Sequence, residues 1–159
     1  MRICVISSIY GRRDVVELAF KGLKRIFQDS HYHLVDVVVA VSEEWAADYC
    51  LDQGFIPVYH ENNPLSDKMN AAYRVCMDRE WDYLLQMDSD TLYCKGFWDS
   101  VRPLIDQNFP IFGYSRIYIV DKETLRAKVF NYMTLVCAGR FVRRDLCEMT
   151  PKMWDDGLN

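Results

Sequence analysis

Leu84-Leu85-Gln86-Met87-Asp88-Ser89-Asp90-Thr91 is the stretch whose reading decides the fold. An apolar run leads directly into two acids that flank one serine. Parallel strands covered on both faces are nearly continuous in apolar residues, so the run reads as a buried strand. The acids then sit where that strand emerges, and in open α/β sheets ligands bind at the carboxyl edge. Two hard carboxylates there suit Mg2+ or Mn2+, which bridge protein oxygens to a diphosphate. Asp and Ser are also common turn residues, so the same letters fit a strand followed by a capped turn.

Upstream, the pattern of buried strand and amphipathic helix repeats. Arg2 to Ser7 is apolar and β-branched, and Ser8 to Arg12 forms its following loop. From Asp14, a candidate N-cap, Val15, Leu18, Ala19, Leu23, Ile26 and Phe27 recur at helical spacing. Leu34 to Val41 predicts a second strand, and Ser42-Glu43-Glu44 opens a helix through Asp52 that Gly54 closes. Phe55 to His60 reads as a third strand and Glu61 to Pro64 as a polar loop. Ser66 or Asp67 caps a third helix running to Arg79. Tyr83 to Met87 is the fourth strand and Lys95 to Gln107 the fourth helix. This β-α alternation predicts a parallel sheet with helices on both faces.

The pattern changes after Pro110. Ile111 to Val120 and Ala127 to Val136 read as strands around an Asp121-Lys122-Glu123 turn. Ala138-Gly139-Arg140 follows, then a short helix near Arg143 to Met149 and the tail Trp154-Asp155-Asp156-Gly157-Leu158-Asn159.

Composition narrows the classes. A chain of 159 residues is the length of one domain. A domain of that size buries roughly two thirds of its unfolded surface. With 50% hydrophobic and 14% aromatic residues it is not a disordered chain. Its net charge of -4 disfavours non-specific nucleic-acid binding by the overall field. Arg12-Arg13 and Arg140 with Arg143-Arg144 still form local basic clusters. No segment approaches the ~20 apolar residues of a membrane span, and Arg12-Arg13 interrupts any signal-like run. The expectation is a cytoplasmic protein. The six cysteines, Cys4, Cys50, Cys76, Cys94, Cys137 and Cys147, form no Cys-x-x-Cys pair and read as reduced core residues.

Four features then fall in a fixed order. They are Ser7-Ser8-Ile9-Tyr10-Gly11-Arg12, then Asn62 with Lys68-Met69-Asn70-Ala71-Ala72, then Asp88-Ser89-Asp90, and last Ala138-Gly139-Arg140 followed by Trp154-Asp155-Asp156. In order and strand placement they resemble the GT-A glycosyltransferases, particularly those of the family-2 type, over nearly the whole chain. The resemblance implies an α/β fold: a single Rossmann-like GT-A domain with a mostly parallel central sheet, helices on both faces and a small antiparallel C-terminal part. Residues 1–94 would form the nucleotide-sugar-binding half and 95–159 the acceptor and catalytic-base half. In the family, acceptor-binding elements usually follow the point where this sequence ends.

The resemblance also implies a chemistry. A sugar would pass from a UDP- or GDP-linked donor to a hydroxyl acceptor, with inversion and with Mn2+ or Mg2+ as cofactor. Ser8, Tyr10 and Arg12 would hold the nucleotide, Tyr10 stacking on the base and Arg12 approaching a phosphate. Asn62, Lys68 and Asn70 would face the donor from the helix entrance. Asp90 would ligate the metal, while Asp88, next to Ser89, would contact ribose or reach the metal through water. Asp155 or Asp156 would be the general base, with Asp155 favoured. The chain departs from the family in lacking a late histidine, its histidines being His31, His33 and His60. Only Glu43 could replace the acidic residue usual at the end of the second strand.

Two other readings share these residues. A sugar nucleotidyltransferase would carry a Gly-rich first loop, where this chain has Gly11 alone. A non-catalytic nucleotide-sugar-binding module would keep the aspartates without turnover. The acceptor stays open among a saccharide, a lipid-linked sugar, a protein hydroxyl and a modified nucleobase, DNA included.

Overall fold

The computed structural model describes residues 1–28, 30–136 and 138–155. Its strands are β1 (Arg2–Ile9), β2 (His33–Val41), β3 (Ile56–Tyr59), β4 (Tyr83–Gln86), β5 (Ile111–Phe112), β6 (Arg116–Val120), β7 (Ala127–Asn131) and β8 (Arg140–Arg143). Its helices are α1 (Arg13–Gln28), α2 (Glu44–Asp52), α3 (Leu65–Met77), α4 (Phe97–Asp106) and α5 (Arg144–Glu148). The main sheet has six strands in the order β3-β2-β1-β4-β8-β5. The first four strands pair in parallel, and β8 runs antiparallel to both of its neighbours.

The sheet is covered on both sides because β1 is apolar at odd and even positions alike. Side chains alternate across a strand, so the two sets face opposite layers. Ile3 and Val5 pack with Val16, Phe20 and Leu23 of α1, Ala46 of α2 and Trp98 and Val101 of α4. Cys4 and Ile6 pack with Met69, Ala72, Tyr73 and Cys76 of α3 and Cys147 of α5. The doubly covered sheet expected from the sequence is therefore present. Cys4, Cys50, Cys76 and Cys147 are buried free thiols, Cys94 is exposed, and Cys137 lies outside the described residues. Among the described residues no helix is long and apolar enough to cross a membrane.

The C-terminal part departs from the sequence reading. The strand expected over Ile111 to Val120 is two strands: β5 joins the main sheet, whereas β6 pairs with β7 as a separate hairpin. Gly113 lies at the break. A Cβ there would meet Arg140 Cα at 3.1 Å and Gly139 O at 3.3 Å, so β8 presses against a position that only glycine leaves open. β8 itself was not foreseen, since Arg-Phe-Val-Arg is too short and too charged to show strand alternation. Phe141 and Val142 bury it between β4 and β5, and the Phe141 ring stacks on Phe112 at 4.9 Å.

Helix starts also shift. Asp14 sits in the first turn of α1 and does not precede it. Pro64, which carries no side-chain cap, precedes α3, so Ser66 and Asp67 lie inside that helix. α4 begins after Gly96, whose φ of 92° is left-handed, and not at Lys95.

The hairpin projects from the sheet with its apolar side chains in solvent, Tyr118, Ile119, Val120 and Leu125 among them. Asp121 caps the turn by accepting from the Glu123 and Thr124 N–H groups. Lys122 then donates to Asp14 at 3.2 Å, bringing the hairpin tip to the N-terminus of α1.

These placements predict different costs on the two sheets. Phe141→Ala should lower the unfolding free energy in denaturant by about 3–5 kcal/mol, as loss of a large core ring does. Tyr118→Ser should change it by about 0.5 kcal/mol or less, as for an exposed residue. Equal costs would remove β8 from the core.

Candidate active site

The sheet order reverses between β1 and β4. From β1 the chain adds β2 and then β3 on one side, and β4 returns to the other. In open α/β sheets, a crevice opens outside the carboxyl ends of two strands related this way. The loops that flank it are Tyr10 to Arg12 after β1 and Asp88 to Asp90 after β4.

The β1 loop is held in an unusual shape. Gly11 and Arg12 both have left-handed φ angles, 58° and 46°. The Gly11 N–H donates to Glu43 Oε2 at 2.6 Å, so the acid after β2 anchors the turn. The backbone reversal sends Arg12 across the crevice, where its Nη2 donates to Asp90 Oδ2 at 3.0 Å. Tyr10 is 61% exposed beside this turn. Ser8 is half-buried at the strand end.

Asp88 and Asp90 both expose surface, with Ser89 half-buried between them. The Thr91 N–H donates to the Asp88 carbonyl at 3.1 Å and closes the turn. Protein crowded around the Asp88 carboxyl partly desolvates it and pushes its pKa up, the Asp90 charge adds to this, and Arg140 opposes it. The Asp90 carboxylate therefore lies close enough for its charge to be felt at Asp88. Among the described residues, no group of three His, Cys, Asp or Glu side chains is arranged to hold a metal. The pair nonetheless fits Mg2+ or Mn2+, because Mg2+ is commonly held by one or two carboxylates, with phosphate and water completing its shell.

Lys68 and Asn70 lie in the first turns of α3, both buried, with polar ends engaged by backbone and loop. Lys68 has no exposed surface. Its Nζ donates to the Ile9 carbonyl at 2.7 Å and to Asn62 Oδ1 at 3.1 Å. It therefore pins the end of β1 to the 61–64 loop from behind. Burial lowers its pKa to about 8, against the opposing pull of Glu43.

Asn70 grips the C-terminal segment. Its Nδ2 donates to the Trp154 carbonyl at 2.8 Å. Its Oδ1 accepts from the Met153 and Trp154 N–H groups at 3.1 and 3.2 Å. The Trp154 ring meets Tyr73 edge-on at 6.3 Å. Exposed Asp155 is thereby held beside α3, the helix that follows β3. Asp156 lies outside the described residues.

Three further residues belong to this edge. Arg140 Nη2 donates to Gln86 Oε1 at 2.5 Å, while its Nε is buried without a partner. The Tyr93 hydroxyl is likewise buried and unpartnered, and its pKa is raised by burial and by the Asp88 charge. Gln86 carried a legible signal, being the one polar residue in an otherwise apolar run. Tyr93 carried none, because an aromatic residue after a turn reads as core.

No protein-family model and no curated protein sequence matches the chain. Solved structures do. Staphylococcus aureus TarS 1-349, a family-2-like GT-A glycosyltransferase, superposes with a TM-score of 0.61 at 15% identity. That match covers 94% of this chain and 49% of the TarS fragment, so the chain spans about half of it. The CMP:2-keto-3-deoxy-manno-octonic acid synthetase complexed with CTP gives 0.52 at 10% identity, covering 92% of this chain and 76% of that one. HddC from Yersinia pseudotuberculosis gives 0.53 at 9% identity, covering 96% and 81%. The chain has the fold of the nucleotide-diphospho-sugar transferases.

Two predictions follow from the buried clamps. The Lys68 pKa is depressed on folding, so between about pH 8 and 10.5 the unfolded chain holds a proton that the folded chain lacks. Wild type should therefore gain stability relative to Lys68→Met as the pH rises from 7.5 to 9.5, measured by urea unfolding. A pH-independent difference would refute the buried amine. Asn70→Ala should speed amide exchange at Met153 and Trp154 about tenfold, the order expected for one lost hydrogen bond. Unchanged exchange would mean that another contact holds the segment.

Proposed function

We propose that the chain is a metal-dependent glycosyltransferase that moves a sugar from a UDP- or GDP-linked donor to a hydroxyl acceptor with inversion. One observation carries the reading. Asp88 and Asp90 leave β4 at the crevice beside β1, facing a loop whose Arg12 reaches Asp90.

In this reading Tyr10 stacks on the base and the β1 loop cradles the ribose. Asp90, with Asp88 beside it, would hold Mn2+ or Mg2+. The bound ion would supply charge stabilisation to the departing diphosphate. Glu43, Lys68 and Asn62 fix the shape of the loop that receives the nucleotide. Asp155, held through Asn70, takes the proton of the acceptor hydroxyl as that oxygen attacks the anomeric carbon. Arg140 and Tyr93, beside Asp88, line the side on which sugar and acceptor meet. The TM-score of 0.61 to TarS, against 0.52 and 0.53 to the synthetase and HddC, supports the glycosyltransferase reading.

A sugar nucleotidyltransferase is the second reading. The coverage favours it: the chain spans 76% of the CTP-bound synthetase but 49% of the TarS fragment.

Calorimetric titration with UDP, GDP and CTP, each with and without Mn2+, separates the two. Metal-dependent binding of UDP or GDP is expected, and Asp90→Ala should abolish it while the circular dichroism stays unchanged. Asp155→Asn should retain nucleotide binding and lower transfer by about 100-fold, as loss of a general base does. Binding of CTP in preference to the diphosphates would move the assignment to nucleotidyl transfer. Unaltered UDP and GDP affinity in Asp90→Ala would sink the metal role.

A further inference from the structure

Among the described residues, Arg12 and Asp90 form an ion pair that spans the crevice. Most other cations on this edge are already occupied. Arg13 pairs with Glu17 at 2.8 Å, Arg140 is bonded to Gln86, and Lys68 is buried against Ile9 and Asn62. Arg12 differs in its partner. Its guanidinium lies on a carboxylate of the candidate metal pair, and the two side chains are 63% and 43% exposed. The backbone beneath it is fixed by the left-handed turn and by the Glu43–Gly11 bond, so only the side chain needs to swing.

We infer that Arg12 is an exchangeable counter-ion of the aspartate pair, leaving Asp90 when a divalent cation takes that carboxylate and moving to a phosphate of the same ligand. The inference rests on the donor site proposed above. An exposed ion pair is weak, so its replacement is cheap. A guanidinium and a divalent cation on the same carboxylate repel, so one displaces the other. Freed, the planar fork of Arg12 suits a phosphate. Metal alone must break the pair with no compensation, whereas metal with diphosphate gives Arg12 a new partner. Metal and diphosphate therefore bind with positive coupling, and linkage makes that coupling reciprocal. The other charges near the pair are Asp88 beside Asp90, Arg140 near Asp88, and Glu43 on Gly11.

The test is calorimetry on the full chain with MnCl2 alone, with UDP or GDP alone, and with each in the presence of the other. Wild type is compared with Arg12→Gln, Arg12→Lys and Arg25→Gln, the last removing a positive charge from the far end of α1. Arg12→Gln should bind Mn2+ alone about threefold more tightly, the order of the lost competition from an exposed pair. The same variant should bind the Mn2+-diphosphate complex about tenfold more weakly, having lost a charge-assisted contact. Arg12→Lys should fall between, and Arg25→Gln should match wild type. Equal or weaker Mn2+ binding by Arg12→Gln, with wild type binding normally, overturns the exchange and leaves the donor site standing. A wild-type chain that binds neither Mn2+ nor either diphosphate overturns both.

Discussion

The structure depends on the burial of β1 on every side. β2 and β4 take its two edges, α1 and α4 cover one face, and α3 covers the other. With both edges paired and both faces dry, no side chain of the strand interior can meet solvent or ligand. Any contact of this strand with a ligand is left to the point where it stops. The same constraint holds for β4, whose four residues are all buried. The two loops leaving these adjacent strands therefore share one crevice, where the candidate site residues gather.

Loops are mobile unless tied, and this site ties its loops with polar groups that are buried at Lys68 and Asn70 and half-buried at Glu43. Glu43 holds Gly11, Lys68 holds Ile9 and Asn62, and Asn70 holds Met153 and Trp154. Each clamp joins segments distant in sequence, and two of the three come from α3. A buried amine or amide is costly unless fully bonded. The clamps thus specify one loop arrangement more strongly than an apolar contact would, since any other arrangement strands a polar group.

The C-terminal portion shows how a parallel sheet can be extended without another helical crossover. β8 enters antiparallel between β4 and β5, and the chain reaches it through the β6-β7 hairpin. Gly139, with a φ of 81°, makes the entry, and a Cβ there would come within 3.0 Å of the Tyr114 ring. This insertion brings Arg140 beside Gln86 and Asp88, on the side of the aspartates opposite β1.

The sequence by itself determined the parallel sheet, because continuous apolar runs separated by amphipathic helices have few other ways to be buried. It also determined the place of Asp88 and Asp90, since acids that end such a run must emerge at its carboxyl edge. It did not determine what faces them. Lys68 and Asn70 look like polar residues of an ordinary helix, and only packing against β1 and the tail turns them inward as clamps. β8 was illegible because four residues with arginine at both ends carry no strand period, and its pairing depends on Phe112 and Leu85 already being in place. The Arg12–Asp90 pair joins positions 78 residues apart, a proximity decided by tertiary structure through the β1-β4 pairing. Local periodicity encodes which residues are buried; the contacts that make a site are made between elements, and no local pattern records them.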